Sequence, residues 1–170
     1  MEWQIGEVSN RNDAMHIREA SAEDLEWIKE RVLAYWGNTQ MVLRGEMVDA
    51  AACAALVAED GMGFLHYRTL APGVGEIVTL EAALPLQGIG TALVESYVAR
   101  ARAAGLREIV VVTTNDNLSA LRFYQRRGFV IKQVRVNALE EARRLKPEIP
   151  LVGNDGIPIR DEIELTRILT

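Results

Sequence analysis

An α/β domain built on a mixed sheet is predicted by three observations. An apolar run from Gly75 ends in Leu84-Pro85-Leu86 and meets a glycine turn, Gly88-Ile89-Gly90; Thr91 to Arg102 then has Leu93, Val94, Tyr97, Val98 and Ala101 on one helical face. Ile109-Val110-Val111-Val112 is a continuous apolar run, as in a strand buried on both faces. These segments form a βαβ unit, whose two strands are parallel. Ala55 to Ala58 and Gly63 to Leu70 are joined by Glu59-Asp60-Gly61, a hairpin signal that adds antiparallel pairing.

The remaining elements follow in chain order. Residues 1–13 have no clear period and are expected to be a flexible N-terminal extension, with one domain over 14–170. Met15 to Ala20 alternates like a first strand. Ser21 is the expected cap of a helix, with Asp24 at the capping-box position, Leu25, Ile28, Val32 and Tyr35 or Trp36 as its apolar stripe, and Gly37 as its stop. From Asn38 to Ala54 the pattern is ambiguous: Val48 to Ala55 is alanine-rich and compatible with a helix, while Arg44-Gly45 interrupts it. After the βαβ unit, Asn117 or Asp116 caps a helix through Leu118, Leu121 and Tyr124 that Gly128 closes. Phe129 to Val136 reads as a strand, Glu140 to Lys146 as a short charged helix, 147–158 as an irregular loop, and Ile159 to Leu169 as a last strand.

Composition narrows the function classes. With 170 residues, 49% hydrophobic and 25% charged, the chain matches one globular domain with a full core. A net charge of −5 argues against a nucleic-acid partner, which requires a basic face. The single cysteine, Cys53, excludes an internal disulfide and a cysteine metal cluster, and no metal is expected. No apolar run approaches the roughly 20 residues needed to span a membrane, and the N-terminus is unlike a signal peptide. A cytoplasmic protein without a membrane partner is the expectation, with room for a homodimer.

The glycine turn and the helix it opens make a candidate anion site. The first turn of a helix carries unpaired N–H groups and the positive end of the dipole. Gly88 and Gly90 let a phosphate approach the backbone of Gln87 to Leu93. The turn is equally compatible with a mere tight connection. It is not a P-loop, and it lacks the third glycine of a dinucleotide fingerprint.

The segment from Asn117 to Phe129 fits N-x-x-A-x-x-x-Y-x-x-x-G-F on Asn117, Ala120, Tyr124, Gly128 and Phe129. Together with the upstream glycine turn and the order of elements, it resembles the GNAT superfamily of N-acetyltransferases over roughly Met15 to Leu169. The resemblance implies a mixed, mostly antiparallel central sheet of about seven strands, a parallel βαβ cofactor-binding unit and helices on both faces. It implies acetyl-coenzyme A as cosubstrate, held by Leu80, Gln87, Gly88, Ile89, Gly90, Thr91, Asn117 and Ala120, and direct transfer to a primary amine of a small molecule or peptide. Pro85 stands where the family carries Gln or Arg.

Such a transfer needs a neutral amine, and an alkyl amine has a pKa of about 10. Glu76 and Glu81 are the candidate bases. Glu76 precedes Ile77-Val78, which resembles the family context of a base; Glu81 is nearer the strand end. Their opposite parity places them on opposite faces unless a bulge intervenes. Tyr124 is the position that the resemblance assigns as proton donor to the leaving thiolate. Arg122, Arg126 and Arg127 are candidates for a nucleotide phosphate or simple helix C-terminal cations. His66 is expected to be a packed or surface residue. Glu162 and Glu164 either collect a cationic acceptor or form a solvated strand face. A non-catalytic acyl-coenzyme A sensor and a module that binds no cofactor are the competing classes.

Overall fold

The computed structural model describes residues 15–84 and 87–170; the expected extension at 1–13 and the Pro85 position lie outside the described residues. The elements run β1 (Ile17–Glu19), α1 (Leu25–Trp36), β2 (Gln40–Leu43), β3 (Glu46–Asp49), β4 (Ala54–Ala58), β5 (Gly63–Ala71), β6 (Val74–Ala82), α2 (Ile89–Ala103), β7 (Glu108–Thr114), α3 (Leu118–Gln125), β8 (Val130–Arg135), α4 (Ala138–Leu145) and β9 (Glu162–Ile168). Seven strands form one sheet in the order β1-β4-β5-β6-β7-β9-β8. Only β6 and β7 pair in parallel, as the βαβ pattern requires; the other neighbours are antiparallel.

Two hydrophobic clusters sandwich the sheet. On one face Leu93, Val94, Tyr97 and Val98 of α2 and Tyr124 of α3 pack on Leu56, Leu65, Ile77, Ile109 and Leu165. On the other, Ile28 and Val32 of α1 and Met41, Leu43 and Val48 of β2 and β3 cover Val57, Phe64 and Val78. The ambiguous stretch after Asn38 is therefore a separate hairpin, β2 with β3, and only Ala50–Ala52 makes a turn of 3-10 helix. Arg44-Gly45 is its tip, both residues at positive φ (53° and 76°), as a two-residue hairpin turn demands. The apparent interruption of a helix is what allows the strands to reverse.

Ser21 does not cap α1. The helix starts at Leu25, and the Asp24 carboxylate instead accepts from Ser21 N (2.7 Å), Ser21 Oγ (3.0 Å) and Trp27 Nε1 (3.2 Å) and pairs with Arg18. These contacts hold its carboxyl well below the usual carboxylate range, the Arg18 guanidinium most of all. Gly37 ends the helix as expected, at φ 69°.

Candidate active site

The sheet opens at its centre. The β6–β7 ladder stops at Ile77↔Val111, although β6 runs on to Ala82 and β7 to Thr114. Beyond that point each strand is paired on its outer side only, β6 with β5 and β7 with β9. The inward-facing N–H and C=O groups of 78–82 and 112–114 have lost their ladder partners and are available to an extended amide ligand.

At the mouth of this opening α2 begins. Gly88 adopts φ 79° at its N-cap, with no side-chain cap bond. A Cβ built there would meet nothing within 4 Å, so this glycine is required by conformation alone. Gly90 does a different job: a Cβ there would lie 3.2 Å from the Phe123 ring of α3 and 3.9 Å from Leu80. Its absence lets α3 close on α2. The Ile89 side chain is 1% exposed and pins the first turn to the core. Gln87 and Gly88 are exposed.

Arg127 completes this corner. Its guanidinium lies over the Phe123 ring, 3.6 Å from the centroid, and donates to Phe123 O (2.7 Å) and to Thr91 Oγ1 (3.0 Å from Nε). Of the three arginines at the end of α3, Arg127 is thus fixed beside the first turn of α2, where it adds a cation to the free amides. The fit to a pyrophosphate is good: uncapped N–H donors, open space at Gly88 and an adjacent guanidinium. Sequence order could not single out Arg127, because its partner Thr91 lies 36 residues upstream.

Tyr124 packs its ring between Phe123 and Phe129, with centroids at 5.1 and 5.3 Å. Leu80, Ala120 and Ile89 border the same cluster. Burial pushes the phenol well above its ordinary value, so it holds its proton. Asn117 caps α3, accepting from Ala120 N at 3.0 Å.

Glu76 and Glu81 share one face after all. In the β5–β6 register His66 opposes Thr79 and Tyr67 opposes Ile77, which leaves Val78 as a bulge. The extra residue inverts the parity downstream. Both carboxylates therefore lie on the α1 and hairpin side. Glu81 is 6% exposed and takes Arg31 Nη1 on Oε2 at 3.0 Å; burial raises its carboxyl, against the pull of Arg31. Glu76 is fully buried with both oxygens occupied, Oε1 by Arg44 and Oε2 by Arg68 Nε at 2.6 Å. His66 is 3% exposed, with Nδ1 2.7 Å from Thr79 Oγ1, and burial lowers it to about 4, so it is neutral near pH 7.

Glu162 and Glu164 correct both expectations for the last strand. Each is 5% exposed. Arg135 reaches both (2.8 and 3.1 Å), Arg44 donates its backbone N–H to Glu162 (2.9 Å) and a guanidinium N–H to Glu164 (3.3 Å). They are neither a solvated face nor free collectors of a cation; they anchor the tip of the hairpin.

The 137–158 segment borders the same side. Buried Asp116, just beyond β7, accepts from Asn154 N and Nδ2 (3.0 and 2.8 Å). At its other end Lys146 is 7% exposed and donates to Gln40 O (2.9 Å) and Trp36 O (3.3 Å). The segment thus ties the end of β7 to α1 and β2.

A family model for the acetyltransferase (GNAT) family matches residues 15–129. The chain belongs to the GNAT acetyltransferase family. Its relatives include the uncharacterized protein YxbD of Bacillus subtilis (strain 168), 39% identical over 144 residues, which cover 79% of this chain and 87% of that one. Among solved GNAT-like folds, a Bacillus subtilis acetyltransferase in complex with CoA superposes with a TM-score of 0.66 at 20% identity, over 92% of this chain and 99% of the other. A GNAT family acetyltransferase from Elizabethkingia anophelis with acetyl-CoA bound gives 0.66 at 22%, over the same shares. The expected GNAT fold, with its seven-stranded mixed sheet and flanking helices, is thereby established. Among the described residues no helix is long and apolar enough to cross a membrane, and no cluster of three metal-ligating side chains occurs.

Proposed function

We propose that this chain transfers the acetyl group of acetyl-coenzyme A to a primary amine of a small molecule or peptide, directly, in a ternary complex. The observation that carries this is the opening between β6 and β7, with an uncapped helix start and Arg127 on one face and Glu81 on the other. Bound acetyl-coenzyme A supplies an activated thioester. Gln87 to Thr91 and Arg127 hold its pyrophosphate, and the free edge of β6 near Leu80 offers a backbone N–H to the acetyl oxygen. Asn117 and Ala120 border the pantetheine from the start of α3.

Glu81 is the base. One of its oxygens has no partner among the described residues, and burial makes the carboxylate more basic. Glu76, held by two guanidinia, positions Arg44 instead. The Tyr124 hydroxyl, whose proton burial retains, donates a hydrogen bond toward the leaving sulfur. Cys53, the only cysteine, has its thiol pushed up by burial, which disfavours an acyl-enzyme route and supports direct transfer. The test is thiol release from acetyl-coenzyme A across a panel of amino acids, polyamines and peptides. Amine-dependent release with no acylated protein by mass spectrometry is expected. Tight cofactor binding without release on any amine would make the chain a sensor instead.

A further inference from the structure

The corner that holds Glu81 is closed by four side chains from three segments. Trp27 and Arg31 lie one turn apart on α1, with the Arg31 guanidinium 5.3 Å from the centre of the Trp27 ring. Asp24 holds the Trp27 indole from behind, accepting from its Nε1 at 3.2 Å. The indole meets Phe64 of β5 edge-on, with centroids 6.0 Å apart. Phe64 stands opposite Glu81 in the β5–β6 register, and Arg31 Nη1 donates to Glu81 Oε2 at 3.0 Å, which completes the ring of contacts.

The Arg31–Glu81 pair is left half used. A guanidinium has five N–H donors and a carboxylate accepts on two oxygens. Among the described residues the single bond between them is the only side-chain hydrogen bond of either. The buried side-chain polar atoms without a partner are Arg68 Nη2 and Tyr97 Oη. Glu81 Oε1 and the other Arg31 nitrogens, equally without one, therefore reach open space, and 33% of the Arg31 side chain is exposed. A free acceptor and free donors thus flank one 3.0 Å contact, side by side as an ammonium and a carboxylate are on one carbon. At this point β6 has left the β6–β7 ladder, and Leu80, the preceding residue, carries the N–H assigned to the acetyl oxygen.

Resting on the reading of Glu81 as the base, we propose that the acceptor is a free α-amino acid, its amine facing Glu81 Oε1 and its carboxylate on the open edge of Arg31. Charge separates this acceptor from other amines. The Arg31–Glu81 couple is neutral as a whole, so a zwitterion meets both of its charges there. A polyamine or a peptide N-terminus brings a cation beside Arg31 with nothing to compensate it. The neighbouring carboxylates are already spent: Glu76 on Arg44 and Arg68, Glu162 on Arg135, and Glu164 on Arg44 and Arg135. Two parallel N–H bonds from Arg31 would also fix the direction from which the amine approaches. The neutral amine bonds to the acetyl carbon as the carbon–sulfur bond breaks; its surplus proton passes to Glu81, coenzyme A leaves as a thiolate, and the product is an N-acetyl amino acid.

The acceptors to compare are the proteinogenic L-amino acids, each beside its own α-carboxamide, with thiol release from acetyl-coenzyme A as the readout. At least one amino acid should exceed its amide in kcat/KM by roughly 10–100-fold, the worth of a charge-assisted pair of hydrogen bonds. Arg31→Gln should bring that ratio near unity, and Arg31→Lys should restore part of it. The ratio is insensitive to any change the substitution makes at Glu81, which both acceptors share. Amides as good as the acids, or an unchanged ratio in Arg31→Gln, would overturn the amino-acid assignment and leave amine acetylation standing. Release with no amine at all, polyamines and peptides included, would remove both. If Arg31→Gln does not fold, the parental ratio decides alone.

Discussion

The two faces of the sheet are built from different materials. On the α2–α3 face the site consists of backbone amides, glycines and packed aromatics: Gly88, Gly90, Phe123 and Tyr124. On the α1–hairpin face it consists of ion pairs between distant segments: Arg31 with Glu81, Arg44 with Glu76 and Glu164, Arg135 with Glu162. Common cofactor geometry can be met by a backbone motif. A particular acceptor is met by side chains, and these are drawn from wherever the fold brings them. The proposed reaction would then draw its affinity for coenzyme A from the first face and its handling of the acceptor from the second.

The largest expected effect falls on the ionic face. Glu76→Ala leaves Arg44 and Arg68 half-buried without their shared partner, a loss of about 3–5 kcal/mol for a broken buried pair. Chemical denaturation should show it as a lower midpoint with an unchanged slope. A variant as stable as the parent would reduce this network to surface electrostatics.

Tyr124→Phe keeps the ring between Phe123 and Phe129 and removes only the hydroxyl. Turnover should fall about 10–100-fold with little change in the Michaelis constant for acetyl-coenzyme A or in stability. Equal turnover, where chemistry is rate-limiting, would return the residue to a purely structural role.

Glu81→Gln should lower turnover and flatten the acid limb of the pH profile. It also has a stability signature. Burial raises the Glu81 carboxyl, so the folded state binds its proton more readily than the unfolded chain. Stability from this group is present at low pH and is lost as pH rises through the raised value. Glutamine removes that loss, so the variant should gain on the parent as pH rises; denaturation at several pH values reads the trend. The opposite trend would mean that Arg31 outweighs burial.

A smaller effect separates the two glycines. Gly90→Ala requires Phe123 to yield by a few tenths of an ångström, at about 1 kcal/mol or less, with backbone conformation unchanged. Thermal unfolding should shift slightly and cofactor affinity little. A large loss of affinity without destabilisation would place Gly90 in direct contact with phosphate.

What was legible in the sequence follows the same division. The βαβ unit, the glycine turn, the Asn117 cap and Tyr124 are local signals, set by spacing along one or two elements. The β2–β3 hairpin was obscured because alanines favour helix locally while tertiary burial of Met41, Leu43 and Val48 decides for strand. The shared face of Glu76 and Glu81 depended on a bulge at Val78 that no residue in the apolar run announces. Arg44 was invisible as a site residue, and Arg127 could not be singled out from Arg122 and Arg126, because their partners lie 32 and 36 residues away.

The division of labour between the faces is tested most directly by calorimetric titration of acetyl-coenzyme A into the parent, Gly88→Val and Glu81→Gln. Valine at φ 79° is strained by about 1–2 kcal/mol and disturbs the amides of the first turn, although its Cβ meets nothing within 4 Å. At least tenfold weaker binding to Gly88→Val, about 1.4 kcal/mol, and parental affinity for Glu81→Gln are expected. Parental affinity in Gly88→Val, or a comparable loss in Glu81→Gln, would overturn the division between the faces.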